Sequence, residues 1–64
     1  MKVTSEMPKE GQFVAVWMYD DRVWSDVHQW IDGELMRYDV DDWLNASCDI
    51  DFYNSVGTQY ITEA

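Results

Sequence analysis

The sequence predicts a small α+β or mainly-β domain, an antiparallel β-meander of three to four strands followed by a short helical or irregular segment after residue 40. Three observations predict it. Residues 12–19, Gln12-Phe-Val-Ala-Val-Trp-Met-Tyr19, are an unbroken β-branched and aromatic run of the kind strands favour. Residues 22–31 alternate with the two-residue period of a strand. Asp32-Gly33 joins that segment to a third β-prone run, and Asp-Gly tolerates the two positive φ angles of a type I′ hairpin turn.

Taken in order, residues 1–11 read as an extended lead-in. Pro8 keeps Met7 out of helical geometry and Gly11 marks a turn. The strand over 12–19 is apolar on both faces, Val14, Val16 and Met18 on one and Phe13, Ala15, Trp17 and Tyr19 on the other. That pattern suits a central strand covered on both sides. Asp20-Asp21 form the turn into residues 22–31, where Val23, Val27 and Ile31 share one face with Ser25 and Gln29, opposite Trp24, Asp26, His28 and Trp30. Residues 34–40 return as the third strand. Asp41 or Asp42 then offers an N-cap for a short helix over residues 43–47. Residues 49–56 fit helix or strand equally, Gly57 breaks them, and residues 58–63 are β-prone enough for a fourth strand.

Sixty-four residues make one domain, residues 1–64, near the lower limit for folding on a single core. One cysteine, Cys48, allows no intramolecular disulfide, and one histidine, His28, leaves no Cys/His set for zinc. Stability must come from buried side chains or self-association. Aromatic residues at 16% of the chain supply the first. Cys48 is expected in the core, and His28 partly buried or at an interface. The longest apolar run, Phe13 to Tyr19, is far too short for a membrane-spanning helix. The opening residues lack the apolar region of a signal peptide, so the expected compartment is the cytosol.

Charge is the most informative property. Thirteen acids against four bases give −9, and all of it falls after residue 19, because Lys2 and Lys9 cancel Glu6 and Glu10. Direct binding to nucleic acid or to an anionic membrane is therefore disfavoured, since both draw on Lys and Arg. A basic protein surface is the natural counterpart.

Catalysis finds no constellation. The only histidine has no orienting motif or nucleophile at a recognisable spacing, and the glycines form no phosphate-cradling loop. An EF-hand loop begun at Asp39 would place Trp43, Leu44 and Ile50 where an oxygen ligand, a glycine and a glutamate are needed. No catalytic residue, metal or cofactor is expected. The densest acidic stretch runs from Asp32 to Asp51, where seven acids face only Arg37. One reading makes these carboxylates stand-ins for phosphates, with Asp39, Asp41, Asp42, Asp49 and Asp51 contacting a basic groove and Trp43 and Tyr53 as apolar anchors. The other makes the charge a solubilising surface and gives binding to an exposed Trp/Tyr patch. Self-association through an open sheet edge is a third possibility.

Residues 3–17, with Met7, Pro8, Gly11, Val14 and Val16 in a Leu/Met-Pro-x-x-Gly-x-x-Val-x-Val pattern, resemble the opening of small uncharacterised phage and prophage proteins. Trp30-Ile-Asp-Gly-Glu-Leu35 is similar to their Trp-x-x-Gly hairpin. The resemblance covers the first half of the chain, and its matching positions look structural. It implies a phage origin, and in that context a small acidic protein looks like an inhibitor of the anti-CRISPR type, one that occupies the nucleic-acid groove of a bacterial defence or DNA-processing protein. The alternative remains an accessory protein-interaction module.

Overall fold

Six strands and one helix account for the chain in a computed structural model that describes residues 1–63. The strands are β1 (Lys2–Thr4), β2 (Gln12–Tyr19), β3 (Arg22–Ile31), β4 (Glu34–Asp39), β5 (Asp42–Asn45) and β6 (Gln59–Thr62), and the helix is α1 (Asp49–Val56). All pair antiparallel in one sheet, ordered β1-β6-β2-β3-β4-β5.

The meander over residues 12–40 forms as the sequence predicts. Asp20 and Asp21 have φ of 55° and 60°, and Asp32 and Gly33 have 51° and 78°. Both tight turns thus have positive φ at both central residues, which matches the twist of the flanking strands. At Gly33 that conformation carries no side-chain penalty.

The strand count exceeds the three to four expected. The expected fourth strand is β6, which pairs with β2 rather than extending the meander at its far edge. In the lead-in, Lys2-Val3-Thr4 is too short to signal a strand by itself and gains its geometry from pairing with β6. The helix expected over residues 43–47 is instead β5. Val40-Asp41 turn the chain, so neither Asp41 nor Asp42 caps a helix, and Trp43 pairs with Tyr38 across the hairpin, ring edge to face at 5.2 Å. The helix lies later, with Asp49 and Asp51 in its first turn favoured by the N-terminal dipole. Gly57, left-handed at φ 70°, ends it by returning its N–H to the Tyr53 carbonyl.

The core is a single layer between α1 and one face of the sheet. Phe13, Ala15, Leu35, Ala46, Tyr53 and Tyr60 are buried there, flanked by Met7, Trp17, Trp30 and Ile50. Phe13 stacks on His28 at 5.3 Å and meets Tyr60 edge-on. Trp17 lies 4.8 Å from Tyr53 and 6.2 Å from Phe52, which fastens the helix to β2. Trp30 draws in the lead-in, its indole N–H donating to the Pro8 carbonyl at 2.8 Å and its backbone N–H to Gly11. Met7, Pro8 and Gly11 are thus structural, in keeping with the reading of their motif.

One expectation reverses. β2 lies inside the sheet but is covered on one face only. Val14, Val16 and Met18 point away from the helix, and Met18 is 65% exposed. Cys48, expected in the core, is exposed just before α1.

Candidate functional site

Antiparallel register puts directly opposed residues on one face. On the face opposite the helix, Val3, Ile61, Val14 and Val27 oppose one another in a row across β1, β6, β2 and β3. Met18 and Val23 form a second pair and Tyr38 and Trp43 a third. Beside these pairs lie Gln12, Gln29, Ser25, Asn45 and Gln59, and Glu34 is the one charged strand residue on this face. Val23 is 68% exposed, and Val3, Val27 and Tyr38 are also exposed. Gln12, Val14, Val27 and Ile61 line a groove on this surface. Among the described residues no element covers it. This nearly uncharged face carries its apolar residues in contiguous rows rather than singly scattered, as they ordinarily are on soluble monomers.

The carboxylates gather elsewhere. β2 and β4 both run antiparallel to β3, so the β2–β3 and β4–β5 turns lie at the same end of the sheet. That topology brings Asp20 and Asp21 to the end that also holds Asp39, Asp41 and Asp42, with Asp39 directly opposite Asp42. Arg22 is the basic residue within these hairpin tips. The other nearby cation, Arg37, is engaged: its guanidinium donates to Asp49 Oδ2 at 2.8 Å.

The seven residues expected to bind a partner therefore divide. Asp39, Asp41 and Asp42 are exposed together on the β4–β5 tip. Trp43 is half-buried against Tyr38 on the open face, turned away from Asp42 by the strand alternation. Asp51 is exposed on α1, and Asp49 is paired with Arg37. Tyr53 is not an anchor. It is 2% exposed, held in the core by contacts with Trp17, His28 and Phe52.

Tyr53 and His28 form a buried polar pair. His28, 0% exposed, faces the Asp26 carbonyl with Nδ1 at 3.1 Å and the Tyr53 hydroxyl with Nε2 at 3.0 Å. A carbonyl only accepts, so Nδ1 carries the proton and donates, and Tyr53 Oη–H donates to the Nε2 lone pair. Burial lowers the His28 pKa, against the opposing effects of its hydrogen bond to the Asp26 carbonyl and of the charges of Asp26 and Asp49, with Arg37 adding to the lowering. Burial likewise raises the Tyr53 hydroxyl, with Asp49 and Asp26 assisting. The imidazole is thus neutral, satisfied and closed to solvent, an arrangement that specifies packing and offers nothing to a substrate.

Sequence reasoning missed the open face. Its signal was present in residues 12–19, whose doubly apolar pattern fits a half-uncovered strand as well as a fully covered one. The described residues contain no group of His, Cys, Asp and Glu able to hold a metal ion, and no helix long and apolar enough to cross a membrane. Comparison with protein-family models, with curated proteins and with solved structures finds no match for this chain.

Proposed function

We propose that this chain is a non-catalytic protein-binding module that docks a protein partner on the uncovered face of its sheet. The observation that supports the reading is the row Val3–Ile61–Val14–Val27, extended by Met18, Val23 and Tyr38, left uncovered in a domain with little apolar mass to spare. A second copy is the weaker occupant, because two chains of −9 each repel. A heterologous partner with an apolar patch beside basic residues fits both the face and the acidic sheet end, which would steer its approach.

A second reading is favoured by the shared end of the two hairpins. Asp20, Asp21, Asp39, Asp41 and Asp42 would imitate phosphates and close a basic nucleic-acid groove, as an inhibitor of a bacterial defence or DNA-processing protein does. The N-terminal likeness to phage proteins supports the same reading.

One experiment separates the two. Immobilised wild type, Met18→Lys/Val27→Lys and Asp41→Lys/Asp42→Lys are each exposed to bacterial lysate and eluted with rising salt. A protein held through high salt and lost from the Met/Val variant is the outcome expected for face docking, because apolar contacts are little screened. A nucleic-acid-binding protein lost from the Asp variant, and displaced by moderate salt or competing DNA, would replace that reading with mimicry. Equal capture by all three proteins would overturn both.

A further inference from the structure

The β3–β4 ladder stops short of the end of β3. It runs from Ile31↔Glu34 to His28↔Arg37, while β3 continues to Arg22 in full register with β2. β4 continues beyond the last pair only to Asp39, where it hairpins into β5. Among the described residues, no strand pairs with Arg22–Asp26 on the side away from β2.

The turn fixes which backbone groups face that open side. In a two-residue hairpin loop the closing residues exchange both hydrogen bonds. Tyr19↔Arg22 closes the Asp20-Asp21 turn, so Arg22, Trp24 and Asp26 direct their N–H and C=O toward β2. Val23 and Ser25 direct theirs away from it. In the same alternation Ile31↔Glu34 closes the Asp32-Gly33 turn, and His28↔Arg37 is flanked by bonding groups of its neighbours. The unpaired groups therefore begin at Ser25. Arg22, Val23, Trp24 and Ser25 are all exposed, as a free edge requires.

We propose that this edge is a β-augmentation site for a basic extended peptide segment of a partner protein. Charge complementarity selects the occupant. Asp20, Asp21, Asp26, Asp39, Asp41 and Asp42 lie on β3 itself or on the two hairpin tips flanking the gap, while Arg22 is the one local base. An added strand bonds to the N–H and C=O of Val23 and Ser25, and its side chains alternate between the two faces. On the open face they meet Val23, Val27 and Tyr38; on the helix face they meet Trp24 and Asp26. A sequence alternating Val with Lys or Arg fits both. This site borders the sheet face argued above and shares Val23, Val27 and Tyr38 with it, but it rests on the unpaired backbone of β3, so its failure would leave that reading intact.

The test is an amide-resolved NMR titration of the whole chain with a Lys-Val-Lys-Val-Lys-Val-Lys peptide. The expected result is saturable shifts at Val23 and Ser25 with slowed hydrogen exchange of their amides. A peptide of the same sequence, N-methylated on the residues facing the protein, keeps charge and side chains but lacks the donors, and binding should weaken about tenfold or more. Ser25→Pro should do the same from the protein's side, since a proline whose lost N–H faces a free edge is tolerated. If that variant does not fold, the N-methylated peptide carries the comparison alone. Equal affinity for the two peptides, or amides of Val23 and Ser25 already protected without peptide, would overturn the proposal and reduce the acidic end to a diffuse field.

Discussion

Tyr53 Oη and His28 Nε2 lie 3.0 Å apart in the layer between helix and sheet, joining residues 25 positions apart in the chain. The bond orients a helix that is otherwise held by ring contacts, by Ile50 and by the Asp49–Arg37 pair. With Nδ1–H donating to the Asp26 carbonyl, every polar atom of both side chains is engaged, and no buried side-chain N or O among the described residues lacks a partner. Tyr53→Phe removes the hydroxyl and leaves the Nε2 lone pair buried without a donor. The expected cost is about 1–3 kcal/mol, read as a fall in melting temperature of about 4–8 °C per kcal/mol for a domain of this size. In a double-mutant cycle, His28→Phe/Tyr53→Phe should cost less than the sum of the single changes. Strict additivity would show that the two groups do not act as a pair.

The same pair predicts a stability optimum bounded on both sides. Burial holds the His28 pKa below its ordinary 6.5, so under acid the unfolded chain binds a proton that the folded chain refuses. Stability is then complete above about 6.5 and declines as pH falls toward the depressed folded value. Tyr53 works in the opposite direction: burial raises its hydroxyl above the ordinary 10.0, so the unfolded chain ionises first and stability declines as pH rises beyond about 10. Acid also relieves repulsion among thirteen carboxylates, which partly masks the histidine term. His28→Gln, melted in parallel from about pH 8 to pH 5, removes the titration. The wild type's advantage over it should shrink on the acid side, and a constant difference would contradict the assignment.

How much of this was legible in the sequence depends on whether the signal was local. The turns at Asp20-Asp21 and Asp32-Gly33 were readable because their conformations follow from the residues themselves. Lys2–Thr4 and Asp42–Asn45 were not, because strands of three and four residues owe their geometry to their neighbours. The acids before Trp43 suggested a helix cap, yet the Tyr38–Trp43 pair across the hairpin prevailed over that preference. Asp39, Asp41 and Asp42 stand together as adjacent positions must, whereas their meeting with Asp20 and Asp21 depends on strand direction across the sheet. Tyr53 looked like an anchor because an aromatic beside acids reads alike in core and interface until a partner such as His28 is placed.

Val40 sits at the tip of the β4–β5 turn with φ 57° and 83% of its surface exposed. For a β-branched side chain this left-handed backbone is strained, by about 1–2 kcal/mol, and nothing apolar is gained by such exposure. Val40→Gly should therefore raise stability by about 1 kcal/mol, seen as a higher denaturant midpoint at unchanged slope. Gly33 gives the contrast: its φ of 78° already suits glycine, and Gly33→Val should lower the midpoint. A Val40→Gly protein no more stable than wild type would mean that the turn relaxes to accommodate the side chain.

Asp49 and Asp41 belong to the same acidic stretch of sequence but stand in opposite electrostatic positions. Asp49 lies 2.8 Å from the Arg37 guanidinium, and both side chains are partly shielded from solvent. Asp41 is exposed on a tip where Asp39 and Asp42 are its neighbours. Asp49→Asn preserves shape, breaks the pair and weakens the tie between α1 and β4, at a cost of about 1 kcal/mol. Asp41→Asn removes one repelling charge and should leave stability level or slightly higher. Added salt should act unequally too, stabilising wild type by screening the hairpin tips and narrowing the gap to Asp41→Asn. Opposite signs for the two variants would identify Asp41 with its neighbours as the free carboxylates available to a basic partner, and Asp49 as part of the scaffold. A charge-reversal test of partner binding therefore belongs at Asp41 and Asp42, where lost affinity is not confounded by lost fold. Equal destabilisation by the two Asn variants would mean that the β4–β5 tip depends on its carboxylates for structure.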